Sequence, residues 1–251
     1  MLLHGYNHLT KSLALSIYKL DYIDSDESKS KYVEHINHEF CADKLADMLT
    51  GIAEAIGGQV LNRAIKNYQP QGASATLMIA EAGNDVVTQQ VPSSIVNHLD
   101  KSHLCVHTYP EELFIDNIAI FRADIDISSC GLITPLVMLD KLVVNYLPDI
   151  VNIDYRVRGC NRRADKTKQF IDHEVSSVQT YLSPTILEKY LTNDNNLASI
   201  NLFHTSLKKV HIDLQKALTF CNTELNASNK TKIRNLLTNE INALFKGNAV
   251  N

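Results

Sequence analysis

Between Ile118 and Ser128 the sequence alternates. Ala123, Ile125 and Ile127 are apolar, and Arg122, Asp124 and Asp126 beside them are charged. A period of two is the pattern of a strand with one face buried and the other wet. The segment needs partners, and the chain supplies them. His103 to Tyr109 reads as its neighbour, joined by the loop Pro110 to Asn117. Val151 to Val157 alternates again. Residues 3–23 read as extended, with Leu13, Leu15, Ile17 and Leu20 between polar neighbours. Val60 to Tyr68 and Ala73 to Ala80 read as strands around the Pro70-Gln71-Gly72 turn, and Gly83-Asn84-Asp85 reads as a further turn.

Other stretches carry helical spacing. From Tyr32 to Ile56 the apolar positions Leu45, Met48, Leu49, Ile52 and Ile56 recur on one helix face, and Gly57-Gly58 supplies a stop. The run DSDESKSK, Asp24 to Lys31, reads as a charged, solvated loop. Pro135 opens a helix through Leu147, with Leu136, Leu139, Leu142 and Val143 inward, and Pro148 ends it. Beyond Arg158 the chain reads as helical pieces at 164–182, 184–192, 205–220 and 229–246, with a polar loop at Asn193 to Asn196. Leu236, Leu237, Ile241 and Leu244 form an apolar stripe on the last piece, a core face rather than a membrane face. The expected architecture is α+β: a mostly antiparallel sheet with helices on one face, followed by a helical C-terminal extension. The expected division is an α+β core over 1–160 and an extension over 161–251, which is expected to pack on the core or on a neighbouring subunit.

Composition narrows the function. The chain has 251 residues, 45% of them hydrophobic, and a formal net charge of −4. That charge disfavours a sequence-independent grip on nucleic acid. The five cysteines, Cys41, Cys105, Cys130, Cys160 and Cys221, form no regular disulfide or zinc pattern. With no secretory leader, the odd count fits a reducing cytoplasm. No apolar run is long enough to predict a membrane span.

The chemistry concentrates in NHLDKSHLCVHTYPE, Asn97 to Glu111. The Ser102 hydroxyl adjoins the carbonyl of Lys101. In a strained turn it can attack that carbonyl and shift the acyl group from nitrogen to oxygen. A base then removes the Cα proton, β-elimination frees the N-terminal fragment, and hydrolysis with loss of ammonia leaves a pyruvoyl group on residue 102. His107 is the candidate base. In a regular strand, however, His103, Cys105 and His107 face one way and Ser102, Leu104 and Val106 the other. The reading therefore requires Ser102 in a turn or a distorted strand entrance. Other readings of the same residues are an inert Lys-Ser pair, half-buried strand histidines, and zinc ligands, although no CxxC or HExxH accompanies them.

The runs LHGYNHLTKSL (Leu3 to Leu13), YQPQGAS (Tyr68 to Ser74), NHLDKSHLCVHTYPE and FRADIDISSCGLITPL (Phe121 to Leu136) together resemble the bacterial pyruvoyl-dependent S-adenosylmethionine decarboxylases. VNIDYRVRG (Val151 to Gly159), KQFIDHE (Lys168 to Glu174) and LFHT (Leu202 to Thr205) continue the resemblance in order. It implies a decarboxylase-type sandwich and a proenzyme that cuts itself between Lys101 and Ser102, giving a β chain 1–101 and an α chain 102–251. Ser102 would become the covalent pyruvoyl cofactor and form the Schiff base with the substrate amine. His107 would be the processing base, and Ser94 lies where some relatives place an assisting hydroxyl. Cys130 would return a proton to the substrate carbon, and Glu111 would hold the ribose hydroxyls. The product would be S-adenosylmethioninamine for spermidine synthesis, made by a cytoplasmic lyase assembled as a dimer or higher oligomer of αβ units. A duplicated sheet built across two protomers is likewise carried over from the family. Magnesium activates some relatives, but no ligand set for it is identifiable in the sequence.

Two departures stand out. The loop Glu112 to Ile120 lacks the glycines expected of bacterial relatives, and Gln69 stands where they often have an acid. Arginine or ornithine decarboxylation by the same chemistry is the alternative, and a non-catalytic regulatory paralogue is the third reading. Glu111 favours the nucleoside substrate, because a diol-holding carboxylate has no evident use with a plain amino acid.

Overall fold

The computed structural model describes residues 9–81, 102–130, 134–163, 165–222 and 225–246. Its frame is one eight-stranded sheet with neighbouring strands antiparallel. In chain order the elements are β1 (Thr10–Tyr22), α1 (Asp26–Glu39), α2 (Ala42–Ala55), β2 (Gly58–Asn67), β3 (Ala73–Glu81), β4 (His103–Pro110), β5 (Ile118–Cys130), α3 (Leu139–Tyr146) and β6 (Ile150–Arg158). There follow β7 (Asn161–Arg162), β8 (Lys168–Gln169), α4 (Pro184–Leu187), β9 (Tyr190–Asp194), β10 (Leu202–Lys209), α5 (Leu214–Ala217) and α6 (Ala227–Lys246). Across the sheet the order is β2-β3-β4-β5-β1-β6-β10-β9, and β7 and β8 form a separate small pair.

Alternation builds the sheet's two faces. Leu13, Leu15 and Ile17 of β1 point the same way as Leu104 and Val106 of β4. Phe121, Ala123, Ile125 and Ile127 of β5 and Val151, Ile153, Tyr155 and Val157 of β6 join them. This closed face is covered by α1, α2 and α3, which bury Tyr32, Ile36, Leu45, Leu49, Ile52, Leu139 and Leu142 against it. Each fully buried aliphatic or aromatic side chain contributes about 1.5–3 kcal/mol of burial free energy. The opposite face carries Ser12 and Ser16 of β1, His103, Cys105 and His107 of β4, and Arg122, Asp124 and Asp126 of β5. At its far end Leu20, Ile118 and Ile150 turn this open face apolar, and there Ile233, Leu237 and Ile241 of α6 cover it. The α+β class and the antiparallel sheet agree with expectation. The helices α1–α3 lie on one face as expected, and the C-terminal helix α6 packs on the core from the other.

Several local expectations change. The charged run at 24–31 is not a loop from end to end, because α1 begins at Asp26. The Ser25 hydroxyl caps the helix by accepting from the Ser28 amide at 3.2 Å, and Asp26 and Glu27 sit where the helix dipole favours negative charge. The single helix expected over 32–56 is two helices. Cys41 is extended between them, and the Asn67 side-chain oxygen accepts the Ala42 amide at 2.8 Å at the start of α2. At Gly57 the backbone is left-handed, with φ +82°, as the chain turns into β2.

The largest differences follow Arg158. Residues 164–182 form no long helix: they hold β8, extended chain and a 3-10 turn at Val178–Tyr181. Within 184–192 only one helical turn forms before β9, and 205–220 is largely strand β10 followed by the one-turn α5. The unpaired edge of β6 recruits β10, with Phe203, Thr205 and Leu207 inward, and this pairing overrides the helical spacing of Leu207, Val210 and Leu214. The last helical piece forms as expected. Residues 161–251 thus supply two strands to the same sheet as well as the terminal helix.

Among the described residues no helix is long and apolar enough to cross a membrane, and the five cysteines are free.

Candidate active site

Ser102 sits in a bend just before β4, as the self-cleavage reading requires. It is buried, at 9% exposure. Its Oγ accepts the Cys130 amide hydrogen at 3.0 Å, and its carbonyl accepts the Ile79 amide at 3.0 Å. Ser102 is thereby pinned between β3 and the end of β5. The β4–β5 register explains the meeting of residues 28 positions apart. His103 pairs with Ser128, so the position before β4 falls beside the last residues of β5. Cys130 ends that strand with its side chain exposed. The candidate nucleophile and the candidate acid therefore share one end of the sheet. Lys101, Ser94 and His98 lie outside the described residues.

His107 stands elsewhere. It lies in the middle of β4, opposite Ser74 of β3 and Asp124 of β5. Five residues of strand separate it from Ser102, a span of about 16 Å at the usual rise per residue. Its ring stacks near that of Tyr109, with centroids 6.4 Å apart. The alternation argument holds in this chain: one copy brings Ser102 and Cys130 together but keeps His107 apart from them.

A polar cluster surrounds His107 on the open face. Arg122 lies over the Tyr109 ring at 4.3 Å and reaches Asp124 at 3.3 Å. Arg122 Nε and Asp124 Oδ1 are nevertheless buried without a hydrogen-bond partner. Burial raises the Asp126 carboxyl above its ordinary range, as does Asp124, while His103 and His107 oppose them. The Cys105 thiol, 4.0 Å from Asp126, is pushed up to about 11 by burial and by that carboxylate. A thiol so disposed is a poor nucleophile at neutral pH, which fits a supporting role for Cys105. Sequence reading had treated Arg122 and the two aspartates only as the wet side of a strand.

Glu111 follows β4 at its other end. Its amide donates to the Ile120 carbonyl at 3.0 Å, and its own carbonyl accepts the Gln71 side chain at 2.8 Å. The same Gln71 nitrogen reaches the Pro110 carbonyl at 3.2 Å. Gln71 thus braces the backbone that carries Glu111, a role visible only once β3 and β4 are paired. Burial raises the Glu111 carboxyl; a hydrogen bond from the Ile120 backbone amide to that carboxyl opposes this, and Glu240 of α6 adds to the rise. In the loop beyond, Asp116 and Asn117 adopt left-handed backbone, with φ 51° and 62°. Glycine is the usual occupant of such positions, and Asp and Asn are the side chains that tolerate them best. The loop keeps a glycine-type turn without glycine.

The family model described as S-adenosylmethionine decarboxylase matches residues 37–159. The S-adenosylmethionine decarboxylase proenzyme of Pseudoalteromonas translucida is 41% identical over 254 residues, covering 98% of this chain and 94% of the relative. The chain belongs to the S-adenosylmethionine decarboxylase family. The proenzyme of Halorhodospira halophila is 42% identical over 98% of this chain and 94% of its own length, and that of Pseudomonas aeruginosa strain PAO1 is 41% identical over 97% and 95%. The family match runs from α1 to just past β6, and so takes in Ser102, His107, Glu111 and Cys130.

Proposed function

We propose that this chain is a self-processing, pyruvoyl-dependent decarboxylase that converts S-adenosylmethionine to S-adenosylmethioninamine and carbon dioxide, for spermidine synthesis. The observation that carries the reading is the contact of Ser102 Oγ with the Cys130 amide at the mouth of β4 and β5. A residue that must become the reactive group and the residue that must return a proton belong side by side. Cleavage between Lys101 and Ser102 would give chains 1–101 and 102–251. Strand pairing would hold the two together without a covalent bond, because β3 of the first chain pairs with β4 of the second.

The residues at the head of β4 suit the covalent group. Ser102 is held at its side chain and its carbonyl, and the exposed Cys130 stands next to it. A pyruvoyl group there supplies an electron sink for the charge released with carbon dioxide. The chain's own part is positioning and proton delivery. Cys130 holds a proton at Sγ for the substrate Cα, and its placement decides which atom is protonated. Glu111, its backbone fixed by Gln71 and Ile120, accepts hydrogen bonds from the ribose hydroxyls.

His107 is the processing base in this reading. Within one chain it stands about 16 Å along the strand from Ser102, so the reading includes assembly. αβ units pair through their open faces, and His107 and Glu111 of one copy serve Ser102 and Cys130 of the other. The partly exposed polar side chains of Arg122, Asp124 and Asp126 on that face, which α1, α2 and α3 leave uncovered, support this. So does Tyr109, an aromatic on that face that is 46% exposed. The free cysteines suit a cytoplasmic setting. Magnesium is included in this reading as an activator, as the family resemblance implies.

Incubation of purified protein with S-adenosylmethionine, arginine or ornithine, with trapping of the released carbon dioxide, tests the substrate. Release from S-adenosylmethionine is expected, and release from arginine or ornithine alone would overturn the assignment. Dialysis against a chelator followed by magnesium readdition tests activation.

A further inference from the structure

The stripe that seats α6 leaves a second face of the same helix turned toward β10. Ile233, Leu237 and Ile241 are buried on the sheet. Arg234, Thr238 and Asn242, at every fourth position, share the neighbouring face. They line one wall of a cavity of about 560 Å³. Lys208 and Lys209 of β10, and His211 just beyond it, line the facing wall. Apolar side chains complete the enclosure, among them Leu191 at 52% and Val210 at 51% exposure. Pockets of about 300–1,000 Å³ are the usual size for small ligands.

The charges around this cavity are of one sign. Among the described residues no aspartate or glutamate lines it. Lys209 is paired with Asp149 at 3.2 Å. Lys208 is held rather than neutralised: it donates to Asn242 Oδ1 at 2.8 Å and lies 5.3 Å from the Phe245 ring centroid. Arg234 and His211 enter no ion pair among the described residues. Acids on the flanking elements are engaged elsewhere. Glu240 of α6 acts on Glu111, Asp213 lies 3.8 Å from Lys216, and Asp194 of β9 accepts from Thr205 at 2.7 Å. The whole chain has a formal net charge of −4, so its overall field draws cations. Here that preference is reversed locally.

We propose that this cavity binds a phosphate monoester with an apolar or ring-bearing body, the class to which nucleoside monophosphates belong. Such a phosphate carries about two negative charges at neutral pH, against one for a carboxylate. Two charges match Lys208 and Arg234, neither of which has a carboxylate partner. The arginine fork can donate two parallel hydrogen bonds to phosphate oxygens. The His211 ring adds a donor from the opposite wall. Asn242 and Phe245 fix Lys208 beforehand, which lowers the ordering cost of binding. Leu191 and Val210 offer the body of the ligand an apolar surface that water otherwise wets. The site is separate from the candidate active site. Lys208 lies opposite Ile150, and the same row continues through Tyr18 and Arg122 to Tyr109 of β4. Four strand spacings put the cavity roughly 19 Å across the sheet from Tyr109.

This inference needs neither cleavage at Ser102 nor decarboxylation. The test is calorimetric titration of the full-length protein with uridine monophosphate, uridine and inorganic phosphate. Uridine monophosphate is expected to bind, free phosphate to bind more weakly and uridine not at all. Binding should weaken as salt is raised. Arg234→Gln should weaken the nucleotide by roughly 10- to 100-fold, the loss expected of hydrogen bonds to a charged group. His211→Glu, on the other wall, should weaken it as well. Both positions are exposed, so the melting temperatures of the unliganded variants should match wild type. Glu111→Gln should leave nucleotide binding unchanged. Absence of binding by uridine monophosphate would overturn the inference. So would uridine or free phosphate binding as tightly as the nucleotide, or nucleotide binding that survives both Arg234→Gln and His211→Glu. Loss of nucleotide binding in Glu111→Gln would place the probe in the proposed substrate site and overturn it too.

Discussion

The two faces of the sheet are built to different standards. The closed face completes itself: Leu13, Ile125, Ile153 and their neighbours are buried under α1–α3, and its one buried lysine is paired with Asp172. The open face is unfinished. Its side chains are mostly half-buried, Arg122 Nε and Asp124 Oδ1 lack partners, and only its far end is covered by α6. One face holds the fold together. The other carries the polar groups that, in the proposed assembly, meet a second αβ unit. Ser102 is where the two meet, buried like the closed face yet tied to Cys130 at the rim of the open one.

That contrast can be broken most sharply at Ser102. Ser102→Ala is expected to abolish cleavage, leaving one band on a denaturing gel, because no other hydroxyl adjoins the Lys101 carbonyl. Cys130→Ala should still cut, since its amide remains to hold Ser102 Oγ. Its turnover, measured by carbon dioxide release, should fall by about 10²–10⁴-fold with the loss of the proton donor. Wild-type turnover in that variant would remove Cys130 from the mechanism.

Stability should divide between the faces in the same way. Leu49→Ala on the closed side removes a side chain at 0% exposure and should cost about 2–5 kcal/mol in denaturant unfolding. Asp124→Asn on the open side disturbs only a partly exposed ion pair and should change stability by about 1 kcal/mol or less. Equal losses at the two sites would erase the distinction.

A gentler probe is pH. Asp21 is buried beside Lys19 and Asp149. Burial, more than its neighbours, pushes its carboxyl from 3.8 up to about 7. The folded chain therefore keeps this proton over a range where the unfolded chain has lost it. Its contribution to stability should fall as pH rises between about 4 and about 7. Asp21→Asn should flatten that slope in melting temperatures measured across the range. An unchanged slope would mean that Asp21 does not carry it.

How much of this was legible beforehand follows from the range of the interactions. The strands at Thr10–Tyr22, Ile118–Cys130 and Ile150–Arg158 were readable because alternation is local and one face is apolar. Lys11 falls on the inward side of that alternation, but its partner Asp172 is 161 positions away and no local pattern announces it. The start of α1 was hidden by its charges, which favour a helix only once Ser25 is recognised as the cap. β9 and β10 were missed because β10 depends on the free edge of β6. At the site, the opposition of Ser102 and His107 was deducible from strand geometry. The contact of Ser102 with Cys130 was not, because it depends on the register of β4 on β5.

The most direct test is the intact mass of the fragments from freshly purified protein. The account predicts a species for residues 1–101 and another for 102–251 whose N-terminus has the mass of a pyruvoyl group. A single intact chain, or a C-terminal fragment in active protein that begins with unmodified serine, would contradict it.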